Sequence, residues 1–208
     1  MFQRDYILRM IEMMGDIARR VAQLMDELEY LHQLDKESRL HCGLPLKALE
    51  ELSFESLREL LAPEARLYAS ELIYLRAMER SMQWEARDEL LLKSLRLLAT
   101  LSEEGVLCEV RAPRLRELKQ QLLSLLTAED LAACAMFFGS GGAFDEMEDA
   151  LFQAEERVRS PEERITLVGK GAELLRQAAN ATDETLAHCG MTREELLEAA
   201  EELSGLAG

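Results

Sequence analysis

Two His-Cys dipeptides, His41-Cys42 and His188-Cys189, are the residues of this sequence best suited to holding a metal. Imidazole and thiolate are the ligands that Zn²⁺ prefers, and two of each would fill a tetrahedral site. However, each dipeptide is followed by glycine, which is typical of a helix end, and a histidine in a last helical turn is stabilised by the helix dipole. Adjacent ligands also lack the spacing that zinc sites use. We therefore expect two helix ends and no bound metal.

A second metal motif, Glu29-x-x-His32, has the spacing found in di-iron helix bundles. Such a site needs two copies of the motif together with further glutamates on other helices. The other two histidines offer no second copy, because Ser38 and Thr185 stand three positions before them. With 40 acidic residues in the chain, one glutamate at this spacing is expected by chance.

Nucleophilic and phosphate-binding motifs are also incomplete. Cys134 lies between Leu131 and Phe138 at helical spacing, which predicts a buried and unreactive thiol. The Gly-Ser-Gly-Gly run at 139–142 lacks the Lys and Ser/Thr of a phosphate-binding loop, so a hairpin turn is predicted there. The sequence therefore favours a non-catalytic protein without a cofactor, and an enzyme or metal protein is the least favoured alternative.

Aromatic and basic residues give weaker signals. Trp84, the only tryptophan, could line a groove with Tyr68 and Tyr74, but a wedge in the core between two helices is the favoured interpretation. The chain has one basic cluster with glutamates interleaved, and we expect it to be a solvated helix start or an intramolecular partner of acidic helices. Its members are Arg111, Arg114, Arg116 and Lys119.

The composition is typical of a helical protein that dissolves readily in water. The 208 residues carry a net charge of −16, which repels phosphates and so argues against nucleic acid and anionic membranes as partners. Hydrophobic residues make up 48% of the chain, enough for a core, and only 5% are aromatic. The four widely spaced cysteines indicate reduced thiols, and neither a signal peptide nor a membrane-spanning run is predicted. A cytoplasmic location is therefore expected.

The clearest structural signal is an apolar seam near the N-terminus. Its members recur at alternating intervals of three and four positions: Ile7, Met10, Met14, Ile17, Val21, Leu24, Leu28 and Leu31. This spacing predicts a long amphipathic helix over about residues 4–34. The seam packs on the chain's own body, on a second copy or on a foreign partner, and the first of these is favoured. If it binds a partner, the contact residues are Met10, Met14, Ile17, Val21 and Leu24, because methionine makes adaptable contacts.

The rest of the chain predicts a helical body over about residues 46–204. Apolar residues recur at helical spacing over about 64–82 and 85–102, and Pro113 is expected to open a further helix. Helix start signals stand at Ser53, Thr127, Ser160 and Thr192. No stretch alternates with a period of two, so no sheet is predicted. The expected fold is all-α, an array of antiparallel helix hairpins in a single domain over residues 1–208.

Residues 128–158 resemble one helix pair of the tetratricopeptide repeat family. Gly142 takes the position of the turn glycine, and Phe144 takes the aromatic position two residues later. Further matching positions are Ala135, Phe138, Leu151 and Ala154. Met147 departs from the pattern, since the family places a small residue there. The resemblance implies helix-hairpin geometry.

The opening residues 1–12, MFQRDYILRMIE, resemble the start of an uncharacterised family of small helical bacterial proteins. That resemblance implies a tetratricopeptide-like body behind a long first helix, and it brings no known activity. The sequence as a whole favours a non-catalytic helical scaffold that binds a protein or peptide. The alternative is a structural homodimer assembled through the N-terminal helix.

Overall fold

The structure is a computed structural model, and it describes residues 11, 13–15, 27–79 and 82–206. Every regular element within these ranges is a helix, and none is a strand. No helix in this part of the chain is long and apolar enough to cross a membrane. The predicted all-α class, built from helices that pack in neighbouring pairs, is confirmed.

The chain divides into two compact units, Met1–Leu101 and Ser102–Gly208. The described helices of the first unit are α1 (Glu27–Cys42), α2 (Leu46–Glu51), α3 (Phe54–Leu60), α4 (Pro63–Ala77) and α5 (Trp84–Ala99). Those of the second unit are α6 (Gly105–Leu122), α7 (Ala128–Ser140), α8 (Phe144–Glu155), α9 (Pro161–Ala178), α10 (Asp183–Cys189) and α11 (Arg193–Gly205). The single domain expected over residues 1–208 stays a prediction.

A hairpin of α4 and α5 forms the centre of the first unit, and α1 packs on α4. Two buried serines join the hairpin. The Ser70 hydroxyl donates to the Ser94 carbonyl at 3.0 Å, and the Ser94 hydroxyl donates to the Ser70 carbonyl at 2.9 Å. Because serine is small and each hydroxyl has a partner across the interface, the two helices approach closely without burying an unpaired polar group.

Replacing these serines one at a time and together should show that they act as a pair. We expect Ser70→Ala and Ser94→Ala each to lower the free energy of unfolding by about 1 kcal/mol, because each removes one buried hydrogen bond. The loss of unfolding free energy in the double variant should differ from the sum of the two single losses by about 0.5 kcal/mol or more, since the side chains touch. Urea unfolding measures all four proteins. The exposed Ser124→Ala is the control, and strict additivity would contradict the pairing.

Two long side chains join other helices of the first unit to the α4–α5 hairpin. The Tyr30 hydroxyl of α1 donates to the Leu75 carbonyl of α4 at 2.7 Å. The Lys93 ammonium donates to the carbonyls of Leu49 and Glu50 at 3.2 and 2.5 Å, at the C-terminal turn of α2. A cation is favoured there because the last carbonyls of a helix carry partial negative charge. Lys93 therefore fixes α2 against α5.

In the second unit, α7 and α8 form the most extensive helix pair, so the hairpin predicted over residues 128–158 is present. Gly142, with a φ of 76°, makes the left-handed turn between the two helices. A Cβ atom on Gly139 would lie 2.6 Å from the Met147 sulfur. Gly139 therefore leaves the space that Met147 fills, which explains how a large residue occupies a position where the repeat family has a small one.

The predicted helix starts are confirmed by hydrogen bonds at the N-caps. The Thr127 hydroxyl accepts from the Asp130 amide, and the Asp130 carboxylate accepts from the Thr127 amide at 3.0 Å. Thr192 and Glu195 form the same reciprocal pair. Further caps are made by Ser53, Ser160 and Thr182, the last at the start of α10, where no helix start was predicted. These starts depend on local side-chain chemistry, so sequence alone locates most of them.

The predicted end of the first helix near residue 34 is wrong, because α1 continues to Cys42. Polar residues after position 34 stabilise the continued helix. The Arg39 guanidinium donates to the Asp35 carboxylate at 2.7 Å, one turn away. The chain leaves the helix only at Gly43, whose φ is 68°.

The predicted helix start at Pro113 is also wrong, since Pro113 lies inside α6, which begins at Gly105. A proline removes the hydrogen bond to the carbonyl four residues earlier. Here Pro113 and Glu109 are both exposed, so water can donate to the Glu109 carbonyl in place of the missing amide. The two helices before it are shorter than expected, with α4 ending at Ala77 and α5 at Ala99.

The predicted N-terminal helix lies mostly outside the described residues. Before α1, Ile11 and Met13–Gly15 are described, and all four are helical. Met14 is buried, with 5% of its surface exposed. One member of the apolar seam is thus covered within the chain itself.

Candidate binding groove

A groove on the second unit runs between α7 and α9. Its central cavity has a volume of about 370 Å³. Ala132 and Met136 of α7 line one side, and Leu167 and Leu174 of α9 line the other, together with the buried Leu151 of α8. Most of the lining is apolar. The cavity can therefore accept hydrophobic side chains from another molecule.

Two neighbouring cavities extend this groove in both directions along α9. One, of about 1050 Å³, shares Glu163 and Leu167 with the central cavity. The other, of about 370 Å³, shares Met136 and Leu174 with it. On α9 the shared residues are Glu163, Leu167 and Leu174. They recur at intervals of about one or two helical turns, so a single face of α9 borders all three cavities.

The helices that line the groove run in the same direction. The N-terminal residues Ala128 of α7 and Glu163 of α9 meet at the large cavity. The C-terminal residues Ser140 of α7 and Gln177 of α9 meet at the opposite end. This is the relation between the first helices of successive hairpins in a helical repeat.

The groove presents soft apolar surface to solvent. At the centre of the groove, Met136 is 48% exposed, and Leu167 and Leu174 are half-buried. Methionine adapts its shape to a partner more readily than branched side chains do, because it is unbranched and polarisable. An exposed methionine between two partly covered leucines is therefore suited to contact with a second protein surface.

Charge is distributed unevenly along the groove. Its wide end, where both helices begin, carries four glutamates: Glu129, Glu156, Glu162 and Glu163. Of the two arginines at that end, Arg157 donates to the Leu126 carbonyl at 2.6 Å, while Arg159 is exposed. The end near Gln177 and Ala178 has no charged lining residue among those described. The groove thus favours positive charge at one end and apolar contact at the other.

Small residues and one ion pair fix the geometry of the groove. A Cβ atom on Gly171 would lie 2.8 Å from a methyl of Leu203 and 3.1 Å from a methyl of Leu151. Gly171 therefore lets α8 and α11 pack closely against α9. The Arg164 guanidinium pairs with the nearly buried Glu155 carboxylate at 2.9 Å, which joins α9 to the end of α8. These contacts fix the position of α9, which forms one wall of the groove.

Comparison with known proteins identifies the family. The profile of a family of unknown function (DUF6483) matches the chain over residues 1–208. The chain belongs to this family. No curated protein and no solved structure matches it. The expectation of an uncharacterised family is confirmed, and the bacterial origin stays a prediction.

The structure describes only one of the five predicted partner-binding residues. Met10, Ile17, Val21 and Leu24 lie outside the described residues. Met14 is described and buried. The assignment of this seam to a partner therefore stays a prediction.

The first His-Cys dipeptide is explained by packing within the first unit. The His41 ring stacks on the Tyr68 ring with the centroids 4.1 Å apart, and its Nε2 lies 3.3 Å from Glu37. The Cys42 thiol donates to the Ala65 carbonyl at 3.5 Å, and burial raises the pKa of Cys42 to about 12. A thiol with such a pKa is a poor metal ligand at neutral pH.

The second dipeptide ends α10, where Gly190 has a φ of 72°. Cys189 donates to the Leu186 carbonyl at 3.2 Å. Both dipeptides therefore occupy the helix ends that were predicted. Over the described part of the chain, no group of three or more His, Cys, Asp or Glu residues is arranged to hold a metal ion.

Other predicted features of the second unit also have structural explanations. Cys134 is fully buried, and burial raises the pKa of its thiol to about 12. In the basic cluster, the Arg116 guanidinium donates to the Glu146 carboxylate at 2.6 Å, and the Lys119 ammonium lies 6.0 Å from the centre of the Phe138 ring. Arg116 of the cluster thus pairs with the acidic helix α8, as expected for an intramolecular partner.

The interpretation of Trp84 as a core wedge is wrong. Its side chain is 74% exposed, whereas Tyr68 and Tyr74 are buried and line no groove with it. The reason lies in the neighbouring helix. Because α4 ends at Ala77, it does not continue alongside the first turn of α5, where Trp84 stands. The spacing of Trp84 matches that of the buried leucines, but nothing in sequence showed that α4 stops early.

The groove residues Met136, Leu167 and Leu174 were not identified from the sequence. Helical spacing alone does not distinguish a residue that borders a groove from a residue of the core. The available signal was the interval between the N-caps Thr127 and Ser160, which is 33 positions and close to the roughly 34-residue period of tetratricopeptide repeats. That period would have placed α7 and α9 side by side with their exposed faces forming a groove.

Proposed function

We propose that this chain is a non-catalytic helical scaffold that binds an amphipathic helix of a partner protein in the groove between α7 and α9. The observation that carries the proposal is the groove itself, an exposed apolar surface bordered by two helices that run in the same direction. A helix laid in such a groove buries its apolar face while its polar face stays in water.

The dimensions and charges of the groove define the partner. The groove follows α7 from Ala128 to Ser140, and the thirteen residues of this helix correspond to about 20 Å at roughly 1.5 Å per residue. A partner helix of about 14 residues therefore spans its length. Basic residues at one end of that helix would face the glutamates at the wide end, and the net charge of −16 would attract a cationic partner from a distance.

The finer description of the fold is part of the same proposal. Parallel first helices and an interval of 33 positions between their N-caps support a tetratricopeptide-like arrangement of the second unit. We assign the protein to the bacterial cytoplasm, where reduced thiols such as Cys108 and Cys134 are maintained.

A labelled peptide tests the groove directly. The probe is a helix-forming peptide of about 14 residues, with leucines at intervals of three and four and lysines elsewhere. Its control has the same composition in a scrambled order. We expect the ordered peptide to bind more tightly in fluorescence anisotropy, because only the ordered peptide presents a continuous apolar face. Equal binding of the two peptides would reduce the interaction to charge alone and contradict the proposal.

A pair of charge-matched variants locates the binding. Met136→Glu places a carboxylate in the groove and should weaken binding by about tenfold or more, whereas Ile165→Glu on the outer surface of α9 should not. Both side chains are about half exposed, so both variants should fold. Light scattering provides the second readout. A dimer that Met136→Glu converts to a monomer would mean that a second copy of this chain, and not a partner protein, fills the groove.

A further inference from the structure

The charged side chains that α9 contributes to the groove follow a definite order. Glu162 and Glu163 stand in the first turn of α9, and Lys170 stands seven positions after Glu163. All three are exposed. Seven positions correspond to about two helical turns, or roughly 10 Å along the helix. Past Lys170 the described lining is uncharged as far as Gln177, so the groove presents negative charge, then positive charge, then apolar surface.

The other helices at the wide end add to its negative charge. Glu129 lies in the first turn of α7, and Glu156 directly follows α8. Both are exposed. The two arginines of that lining are Arg157, which is occupied by the Leu126 carbonyl, and Arg159. With Glu162 and Glu163 the carboxylates outnumber these cations, so basic side chains of a partner are favoured at the wide end.

Helix dipoles indicate which end of a partner helix carries those basic side chains. Both α7 and α9 begin at the wide end of the groove and end at its narrow end, near Gln177 and Ala178. The start of a helix carries partial positive charge, and its end carries partial negative charge. A partner that runs the other way therefore places opposite partial charges together at both ends. Basic side chains also stabilise a helix in its last turn and destabilise it in its first turn.

We infer that the groove binds an amphipathic helix antiparallel to α7 and α9, with basic side chains in its last turn and a carboxylate about two turns earlier that pairs with Lys170. The basic side chains face the glutamates of the wide end, and the apolar first turns cover Met136 and Leu174. The inference rests on the proposed function, because it gives the direction and charge order of the helix proposed to bind there. Lys170 is then a specificity-determining residue, since it repels a helix with a basic residue at its centre.

Two peptides of about 14 residues distinguish the two charge orders. Both carry leucines at intervals of three and four and a central glutamate, but one has lysines in its last turn and the other has them in its first turn. A side-chain cross-link holds both helical. We expect the first peptide to bind about fivefold more tightly in fluorescence anisotropy. Equal binding would overturn this inference and leave the proposed function in place, whereas no advantage of either peptide over a scrambled one would overturn both.

Disulfide trapping measures the direction of the bound helix. Ala128→Cys places a thiol at the wide end, and Ala181→Cys places one at the narrow end. The probe is the first peptide with an activated cysteine after its last turn. We expect it to react faster with Ala128→Cys, because bound groups react with the thiol that lies nearest. The parent protein is the control for reaction at the half-buried Cys189, and faster reaction at Ala181→Cys would overturn the antiparallel direction.

Charge exchange tests the pairing with Lys170. Lys170→Glu should weaken binding of the first peptide by about fivefold, because it places a carboxylate opposite the central glutamate. A peptide with lysine in place of that glutamate should regain the lost affinity with this variant. Lys36→Glu, at an exposed residue of α1, changes the net charge equally and should leave binding unchanged. Equal weakening by the two variants, or no recovery with the exchanged peptide, would overturn the assignment of Lys170.

Discussion

Replacing Gly141 with alanine is expected to destabilise the protein by about 2–3 kcal/mol, as overpacking of a well-packed site does. A Cβ atom at this position would lie 2.8 Å from the carbonyl carbon of Cys108 and 2.8 Å from the amide nitrogen of Glu109. Both are backbone atoms of α6, so they can move only if the whole helix moves. The φ of Gly141 is −87°, which alanine adopts freely, so the cost arises from contact between helices and not from backbone strain.

Gly169→Ala is the matched control for this prediction. Gly169 lies inside α9 and is exposed, and a Cβ atom added there would meet no neighbouring group within 4 Å. Alanine is the better helix former, so we expect this variant to gain about 0.5–1 kcal/mol. Guanidinium unfolding of both variants measures the difference. If Gly141→Ala were as stable as the parent protein, the close approach of α6 to the turn between α7 and α8 would be wrong.

The second large effect is expected at alkaline pH. Burial raises the pKa of Cys42, Cys108 and Cys134 from 9.0 to about 12, and burial together with Glu79 raises the pKa of Tyr30 from 10.0 to about 12. In the unfolded chain these groups ionise near their ordinary values, while the folded protein keeps their protons. The unfolded state is therefore favoured increasingly as pH rises.

The sign and size of this effect follow from proton linkage. Stability from the thiols is fully present below pH 9 and is lost as pH rises toward about 12. Each thiol contributes a slope of up to about 1.4 kcal/mol per pH unit, so three contribute up to about 4 kcal/mol per unit. Lys93 acts in the opposite direction, since burial lowers its pKa, but it is a single group. For an ordinary stability of about 5–15 kcal/mol, unfolding is expected within a few pH units above 9.

Denaturant unfolding followed by circular dichroism between pH 7 and pH 11 measures the loss. Cys134→Ala removes one of the three thiols and should reduce their combined slope by about a third, because each thiol binds one proton. Cys189 is half-buried and is not one of these three buried thiols, so Cys189→Ala serves as the control for removing a cysteine. A free energy of unfolding that stays constant from pH 9 to pH 11 would contradict the burial of these thiols.

Local features of this protein could be predicted from sequence because they depend on neighbouring residues. The reciprocal caps at Thr127 and Thr192 need only a hydroxyl and a carboxylate three positions apart, and both formed as expected. Gly43 and Gly190 end helices because glycine adopts the left-handed conformation at low cost. The end predicted for the first helix near residue 34 has no such marker, and α1 runs past it to Cys42, where Gly43 follows.

The candidate sites required distances that no linear pattern contains. The sequence does not show what lies beside Met136 and Leu174, and only the placement of α7 beside α9 shows that they border a groove. Trp84 shares the register of Leu91 and Leu95, yet it is exposed because α4 ends at Ala77. Helical period determines which residues share a face of a helix. Whether that face is covered depends on the length and position of a neighbouring helix, and the tertiary structure alone decides this.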